Sequence, residues 1–192
     1  MDFGILKKSS QGVSVVPAES ELLEKRVLFL SGEINEESAE KFLKQIMLTK
    51  GTGDVLLVIN SPGGEIASGL TIINAMESAP FKVQTHCLSK CYSMAAVVFA
   101  CGTGKRTMSP HSKLMFHEPL ISGRGMAPLS QVEDEAKLLG EKKELLAKIV
   151  ADRTGIDKKK IKQIMGRDRY FDEKEAKEWN LCDGIGYASL WG

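Results

Sequence analysis

The sequence predicts an α/β protein with a largely parallel sheet, built from repeated strand, helix, strand units. Three observations carry that prediction. Val55-Leu56-Leu57-Val58-Ile59 is a continuous apolar run of strand length, the pattern of a strand covered on both faces. It lies between two stretches of helical periodicity, around Ala39 to Met47 and Ile66 to Met76. The order then repeats: Val83, Thr85 and Cys87 alternate as a strand and lead into an apolar helix that stops at Gly102. With 192 residues, 43% of them apolar, there is material for one well-packed domain with an appended arm.

Residues 1–20 mix Gly, Ser and Lys with Val13-Ser14-Val15-Val16-Pro17, and read as an arm or hairpin outside the core, the domain proper being residues 21–192. Val27-Leu28-Phe29-Leu30 is a short core strand ended by Ser31-Gly32. Asn35 can cap the helix that follows, with Glu36 and Glu37 in its first turn and Ala39, Phe42, Leu43, Ile46 and Met47 on one apolar face. Gly51 and Gly53 end it. After the Val55 strand, Asn60-Ser61-Pro62-Gly63-Gly64 carries strong turn chemistry. Its paired glycines let the backbone approach a ligand and expose amide donors, as they also do in plain turns. A helix with Ile66, Leu70, Ile73 and Met76 at helical spacing comes next.

The third unit holds the residue of most interest. Its strand, Lys82 to Leu88, turns through small and polar residues, and Ser93 stands where that turn gives way to the buried helix. A hydroxyl there is held rigidly, and the amide of the next residue lies at a helix N-terminus, which favours negative charge. The geometry suits a nucleophile with half of an oxyanion hole; an N-cap serine that only closes the helix end is the structural alternative. With right-handed crossovers, the Gly63-Gly64 turn and the Ser93 turn share the carboxyl edge of adjoining strands, where such sheets bind ligands.

Beyond Lys105 to Met108, the short strand Leu114-Met115-Phe116 delivers His117 at its end, before Pro119 and the glycine-bearing loop Ser122-Gly123-Arg124-Gly125. Of the three histidines, His86 precedes the turn inside a strand and His111 sits in a Ser-Pro-His-Ser turn, so His117 ranks first as a general base. Pro128 opens a long amphipathic helix to about Thr154, with Ser130 and Glu133 spaced as a capping box. Two apolar stripes, one through Val132, Leu139 and Leu146 and one through Leu138, Leu145 and Ile149, make a face too wide for a small domain to cover. Burial between subunits is a natural solution, and a solvated face along the charge-rich stretch Glu133 to Glu144 is the alternative. Gly155 stops the helix, Asp157 caps another through Met165, and Asp172 with Glu175 caps one reaching Trp179. Arg167-Asp168-Arg169 lies between these two, as a surface ion-pair cluster or as part of a site. A final strand is expected around Leu181 to Ile185.

The totals narrow the function. Basic and acidic residues number 26 and 25, so nothing in the balance asks for nucleic acid or an acidic membrane. The four cysteines, Cys87, Cys91, Cys101 and Cys182, lack CxxC spacing and read as reduced thiols. His86 and Cys87 are strand neighbours pointing to opposite faces, which argues against a metal site with Cys91. No apolar run reaches the roughly 18 residues of a membrane span, and no signal peptide is legible, so a cytoplasmic protein is expected.

Taken together, these motifs strongly resemble those of the Clp protease proteolytic subunit, the caseinolytic serine peptidase family, from about Glu24 to Ile185. Asn60-Ser61-Pro62-Gly63-Gly64 matches the family's glycine turn, Ser93-Met94-Ala95-Ala96 its nucleophile helix, and Gly104-Lys105-Arg106 the strand beyond. Met115-Phe116-His117-Glu118-Pro119-Leu120 is similar to the histidine motif, Arg167-Asp168-Arg169-Tyr170-Phe171 to the aspartate motif, and Glu173 to Asp183 to the final helix. The resemblance implies Ser93 as nucleophile, His117 as base and Asp168 as the group orienting it, with the amides of Gly64 and Met94 as oxyanion donors. It implies a crotonase-like superhelical core with a protruding handle at about residues 120–155, including the Gly123 to Gly125 loop. It also implies a homo-oligomer of two stacked heptameric rings, a tetradecamer, whose axial pore is lined by the arm. Unfolded polypeptide would be fed in by an AAA+ unfoldase that uses ATP, the peptidase itself needing no cofactor or metal. Three features depart from the family pattern: Ser89-Lys90-Cys91-Tyr92 before the serine, Glu118 in place of glutamine, and an arm without the usual tyrosine. Three other readings stand beside this one. They are an acyl-CoA enzyme of the crotonase type, a regulatory ring partner with its pocket blocked by Tyr92, and a serine and lysine dyad using Lys90.

Overall fold

In the computed structural model, which describes residues 4–10, 12–120 and 128–189, the chain begins with an antiparallel hairpin, β1 (Gly4–Ser9) and β2 (Gly12–Pro17). The hairpin is a sheet of its own, with Leu6, Val13 and Val15 exposed. A short helix, α1 (Ala18–Glu24), leads from it into the domain and is not signalled by the sequence pattern.

Three strand and helix pairs then repeat in order. They are β3 (Val27–Ile34) with α2 (Glu36–Leu48), β4 (Val55–Gly64) with α3 (Ile66–Ser78), and β5 (Val83–Tyr92) with α4 (Met94–Ala100). The three strands lie side by side in parallel. Leu57 and Ile59 of β4, Ile72 and Met76 of α3, and Val98 and Phe99 of α4 are fully buried between sheet and helices. Asn35 caps α2 as expected: its side chain accepts from the Ser38 amide while the Ser38 hydroxyl accepts from the Asn35 amide. The apolar face of α2 is narrower than expected, because Ala39, Phe42 and Ile46 are buried whereas Leu43 and Met47 are exposed.

Two strands run further than their local sequence predicts. β4 continues through Asn60 to Gly64, the stretch expected to turn, because β3 keeps pairing with it: Glu33 faces Gly63 and Ile34 faces Gly64. Bulges after Ser31 and Ile59 absorb the mismatch. β5 runs to Tyr92 instead of turning after Leu88, because it changes partner. It pairs with β6 (Arg106–Met108) up to Cys87 and with β7 (Lys113–Phe116) from Lys90 onward. In both cases ladder hydrogen bonds override a local turn preference.

The second half consists of α5 (Leu129–Thr154), α6 (Lys158–Ile164), β8 (Arg169–Asp172), α7 (Glu173–Glu178) and β9 (Gly184–Ile185). The capping box expected at Ser130 and Glu133 does not form; Pro128 is the N-cap and no side chain bonds the helix end. The buried residues of α5, Leu146, Ala147, Val150 and Thr154, all lie in its second half, while Leu129, Val132 and Leu138 are exposed. Gly155 ends the helix in the left-handed conformation, at φ 70°. The Gly123 to Gly125 loop lies outside the described residues. Asp157 and Asp172 cap α6 and α7 with their carboxylates. Among the described residues, no helix is long and apolar enough to cross a membrane.

One charged clamp ties the C-terminal segment to the sheet. Arg106, only 6% exposed, donates from Nη2 to Asp183 Oδ1 at 2.6 Å and from Nε to Oδ2 at 3.1 Å. The Arg106 amide donates to the same carboxylate at 2.7 Å, and the Asp183 amide donates back to the Arg106 carbonyl at 2.8 Å. Partial burial pushes the Asp183 carboxyl up, but the hydrogen bonds and charge of Arg106 outweigh it and hold the group below its ordinary value. A carboxylate of lowered pKa stabilises the fold above its unfolded pKa and loses that contribution as acid titrates it. Asp183→Ala is therefore expected to cost about 2–3 kcal/mol at neutral pH, the low side for a broken buried pair because Asp183 keeps some water contact. Urea unfolding checks this, and the gap between variant and parent should close below about pH 4.

Candidate active site

Strand β7 is hydrogen-bonded on both sides, and its two registers build the site. Its parallel ladder with β5 sets Tyr92 beside Met115, and the Ser93 amide donates to the Met115 carbonyl at 2.8 Å. Its antiparallel ladder with β8 sets Phe116 opposite Arg169. One step further along each ladder, Ser93, His117 and Asp168 come together. His117 Nε2 lies 2.7 Å from Ser93 Oγ, and His117 Nδ1 lies 3.6 Å from Asp168 Oδ1. The first is a hydrogen bond; the second is an ion-pair distance, longer than a hydrogen bond. With the Nδ1 proton facing Asp168, Nε2 accepts from the serine hydroxyl. The imidazole is largely enclosed, with 17% of its side chain exposed, whereas the Asp168 side chain is 67% exposed.

The other polar candidates lie elsewhere. His86 is fully buried, with both ring nitrogens 2.8 Å from hydroxyls, those of Thr107 and Ser109. Burial pushes its pKa down, so it is a neutral, satisfied core residue. His111 stays in its turn at φ 69°, exposed. Lys90 pairs across β5 and β7 with Lys113, while the partner of the Ser93 hydroxyl is His117. The four thiols are buried and unpaired, and burial raises Cys101 to about 12 and Cys182 to about 11.

Ser93 is held in a strained backbone conformation, φ 54° and ψ −125°, at the junction of β5 and α4. The surrounding backbone makes this tenable. Gly63, at φ 94°, passes so close that a Cβ there would sit 2.5 Å from the Tyr92 carbonyl oxygen, 2.7 Å from Ser93 Cβ and 2.9 Å from the Met94 nitrogen. On the far side, Met94 packs against Gly69 of α3, where a Cβ would fall 2.3 Å from Met94 Cγ. A glycine inside a helical pattern was the available sequence signal for that contact.

A cleft of about 660 Å³ opens in front of Ser93. Met94, Val97, Phe116, Leu146 and Met165 give it apolar lining, and Gly64 and His117 also border it. Leu146 and Met165 are contributions the sequence did not reveal, because they come from α5 and the end of α6. Tyr92 is not among the lining residues; its ring meets Tyr170 edge-on at a centroid distance of 5.6 Å. The expectation that Tyr92 could block the pocket is thereby corrected: β5 stays extended through residue 92, which turns the ring toward β8. Glu118 follows the histidine, but its carboxylate accepts from Lys143 Nζ of α5 at 2.8 Å, and that bond and charge hold it below its usual pKa.

A serine on a strained turn between strand and helix, bonded to an imidazole beside an apolar cleft, is the arrangement of hydrolases that act through an activated hydroxyl. The family model for Clp protease matches residues 10–188 of this chain. The protein belongs to the Clp protease family, and that membership implies a serine peptidase.

Gly63→Ala would place a methyl group against the turn that holds Ser93. The expected result is a loss of about 1–3 kcal/mol in stability and a Ser93 Oγ to His117 Nε2 separation beyond hydrogen-bonding reach. Thermal melting and a crystal structure of the variant check the two parts.

Proposed function

We propose that the protein is the proteolytic subunit of an ATP-dependent protease, a Clp-type serine endopeptidase in which Ser93 is the nucleophile, His117 the general base and Asp168 the orienting carboxylate. The observation that supports this reading best is the 2.7 Å contact between Ser93 Oγ and His117 Nε2, with Asp168 on the far side of the ring. Ser93 attacks the scissile carbonyl while its proton passes to Nε2. His117 returns that proton to the leaving amine, and water then cleaves the acyl-enzyme by the same route. The amides of Gly64 and Met94 hold the oxyanion, each such donor contributing about 3–4 kcal/mol to the transition state. A closing movement of about 1 Å turns the contact between Asp168 and the imidazole into a hydrogen bond. The substrate lies as an added strand along the Gly63-Gly64 edge.

The larger assembly follows the family. The core is a crotonase-like superhelix, and the exposed first half of α5, with Leu129, Val132 and Leu138, is a handle that interlocks two stacked heptameric rings. Residues 1–20 line the axial pore. An AAA+ unfoldase supplies unfolded chains at the expense of ATP. The peptidase step itself draws only on hydroxyl, imidazole, amides and water, so it calls for no metal or nucleotide. Buried, unpaired thiols fit a reducing, cytoplasmic setting. A serine bonded to a histidine has no task in acyl-CoA enolate chemistry, and Tyr92 stands clear of the cleft, so neither rival gains support.

A fluorophosphonate should label Ser93, and His117→Ala should abolish the labelling. Labelling that survives the histidine change would point to Lys90, and an unlabelled assembled protein to a regulatory partner. Light scattering tests the rings separately: the expected mass is that of fourteen chains, and a monomer at micromolar concentration counts against the assembly.

A further inference from the structure

Among the described residues, three carboxylates and one ammonium group border the cleft: Glu33, Glu65, Glu118 and Lys142. Their surroundings differ. Glu118 is already balanced by Lys143. Glu65 accepts a hydrogen bond from Ser68 Oγ at 2.8 Å, which fixes the direction of its carboxylate without neutralising it. Its amide donates to the Ile34 carbonyl at 2.8 Å, so its backbone is as fixed as that of Gly64, to which it is joined. Glu33 stands on β3 in register with Gly63, at the same end of the cleft. Among the described residues, neither Glu33 nor Glu65 has a lysine or arginine partner. Lys142 is likewise unpaired and rises from α5, between Leu139 and Leu146.

Two exposed carboxylates without a basic partner, next to Gly64 and in register with Gly63, oppose the negative charge that develops at the proposed oxyanion donors, while the unpaired Lys142 borders the cleft from α5. A cationic side chain on the substrate removes that opposition, and its attraction to them grows as the bound peptide displaces water. We propose that Glu65, reinforced by Glu33, makes the cleft select peptides with a lysine or arginine flanking the apolar residue at the scissile bond, and disfavour aspartate or glutamate there. This inference rests on the reading of Ser93 as the nucleophile.

The test uses the full-length assembled protein and three fluorogenic peptides that differ only in having Lys, Gln or Glu next to the apolar residue, made in two sets for the two flanking positions. In at least one set kcat/KM should fall in the order Lys, Gln, Glu, spanning about tenfold at low salt. The span should shrink toward one at about 0.5 M salt. Glu65→Gln should reduce it, and Glu65→Lys should invert the order. Each ratio is read within one variant, so a general loss of activity does not mimic the effect, and Glu33→Gln gives a second reading should Glu65 variants fold poorly. Cleavage of the Gln peptides with no charge discrimination in either set overturns the inference alone, as does a ratio that neither Glu65→Gln nor Glu33→Gln changes. If no peptide is cleaved and the fluorophosphonate leaves Ser93 unlabelled, the proteolytic reading fails and takes this one with it.

Discussion

The site depends on one short strand having two neighbours. β7 is only four residues long, yet it pairs in parallel with β5 and antiparallel with β8. Because strand registers are fixed by backbone hydrogen bonds, the positions of Ser93, His117 and Asp168 relative to one another are not three independent facts. A slip of one residue on either ladder would turn every β7 side chain to the opposite face and remove the imidazole from the hydroxyl or from the carboxylate. Leu114, Met115 and Phe116 are all buried, so a slip would bring the exposed Lys113 position and these three side chains into packing made for others. A four-residue strand packed on both faces thus sets the geometry at its end.

Strain at Ser93 is supported by absent side chains. Its positive φ costs on the order of 1–3 kcal/mol and persists only where the neighbourhood leaves no alternative. Gly63 presses on the turn from β4, and the Met94 side chain is seated in the space that Gly69 leaves on α3. Larger residues at either position would fill the volume that the turn occupies. The two glycines therefore act on different sides of one peptide segment, and the helix begun by Met94 is pinned at its first residue while its remainder is buried in the core.

The order of the elements was legible in the sequence, and the contacts between distant elements mostly were not. Strand patterns at Val55 and Val83, the Asn35 and Asp157 caps and the Gly155 stop all depend on local chemistry, and the structure has them where the residues point. The extra length of β4 and β5 depends on ladders with strands far away in sequence, so turn residues such as Pro62 and Gly63 misled. β8 escaped notice because Arg169 to Asp172 has one buried residue, Phe171, and no alternation to recognise. The same holds for the site. Ser93 was suggested by its place between strand and helix, and His117 by its place at a strand end, but the local context of Asp168 pointed equally to a surface ion pair. Its pairing with His117 exists only because β8 runs antiparallel to β7, and family resemblance, not local pattern, singled it out.

Of the three residues proposed to act together, Asp168 is the least enclosed. A carboxylate that is 67% exposed, 3.6 Å from the imidazole, competes with water for the charge that it would stabilise in the proposed triad. The Ser93 and His117 pair has no such difficulty, since the Ser93 amide is bonded to the Met115 carbonyl, His117 directly follows the last residue of β7, and both line the cleft. Whatever covers the β8 edge would exclude water from Asp168 and strengthen its grip on Nδ1, because the same separation is worth several times more at the lower effective dielectric of a covered site. Of the proposed three, the carboxylate is therefore the member whose contribution depends most on how far water is excluded from it.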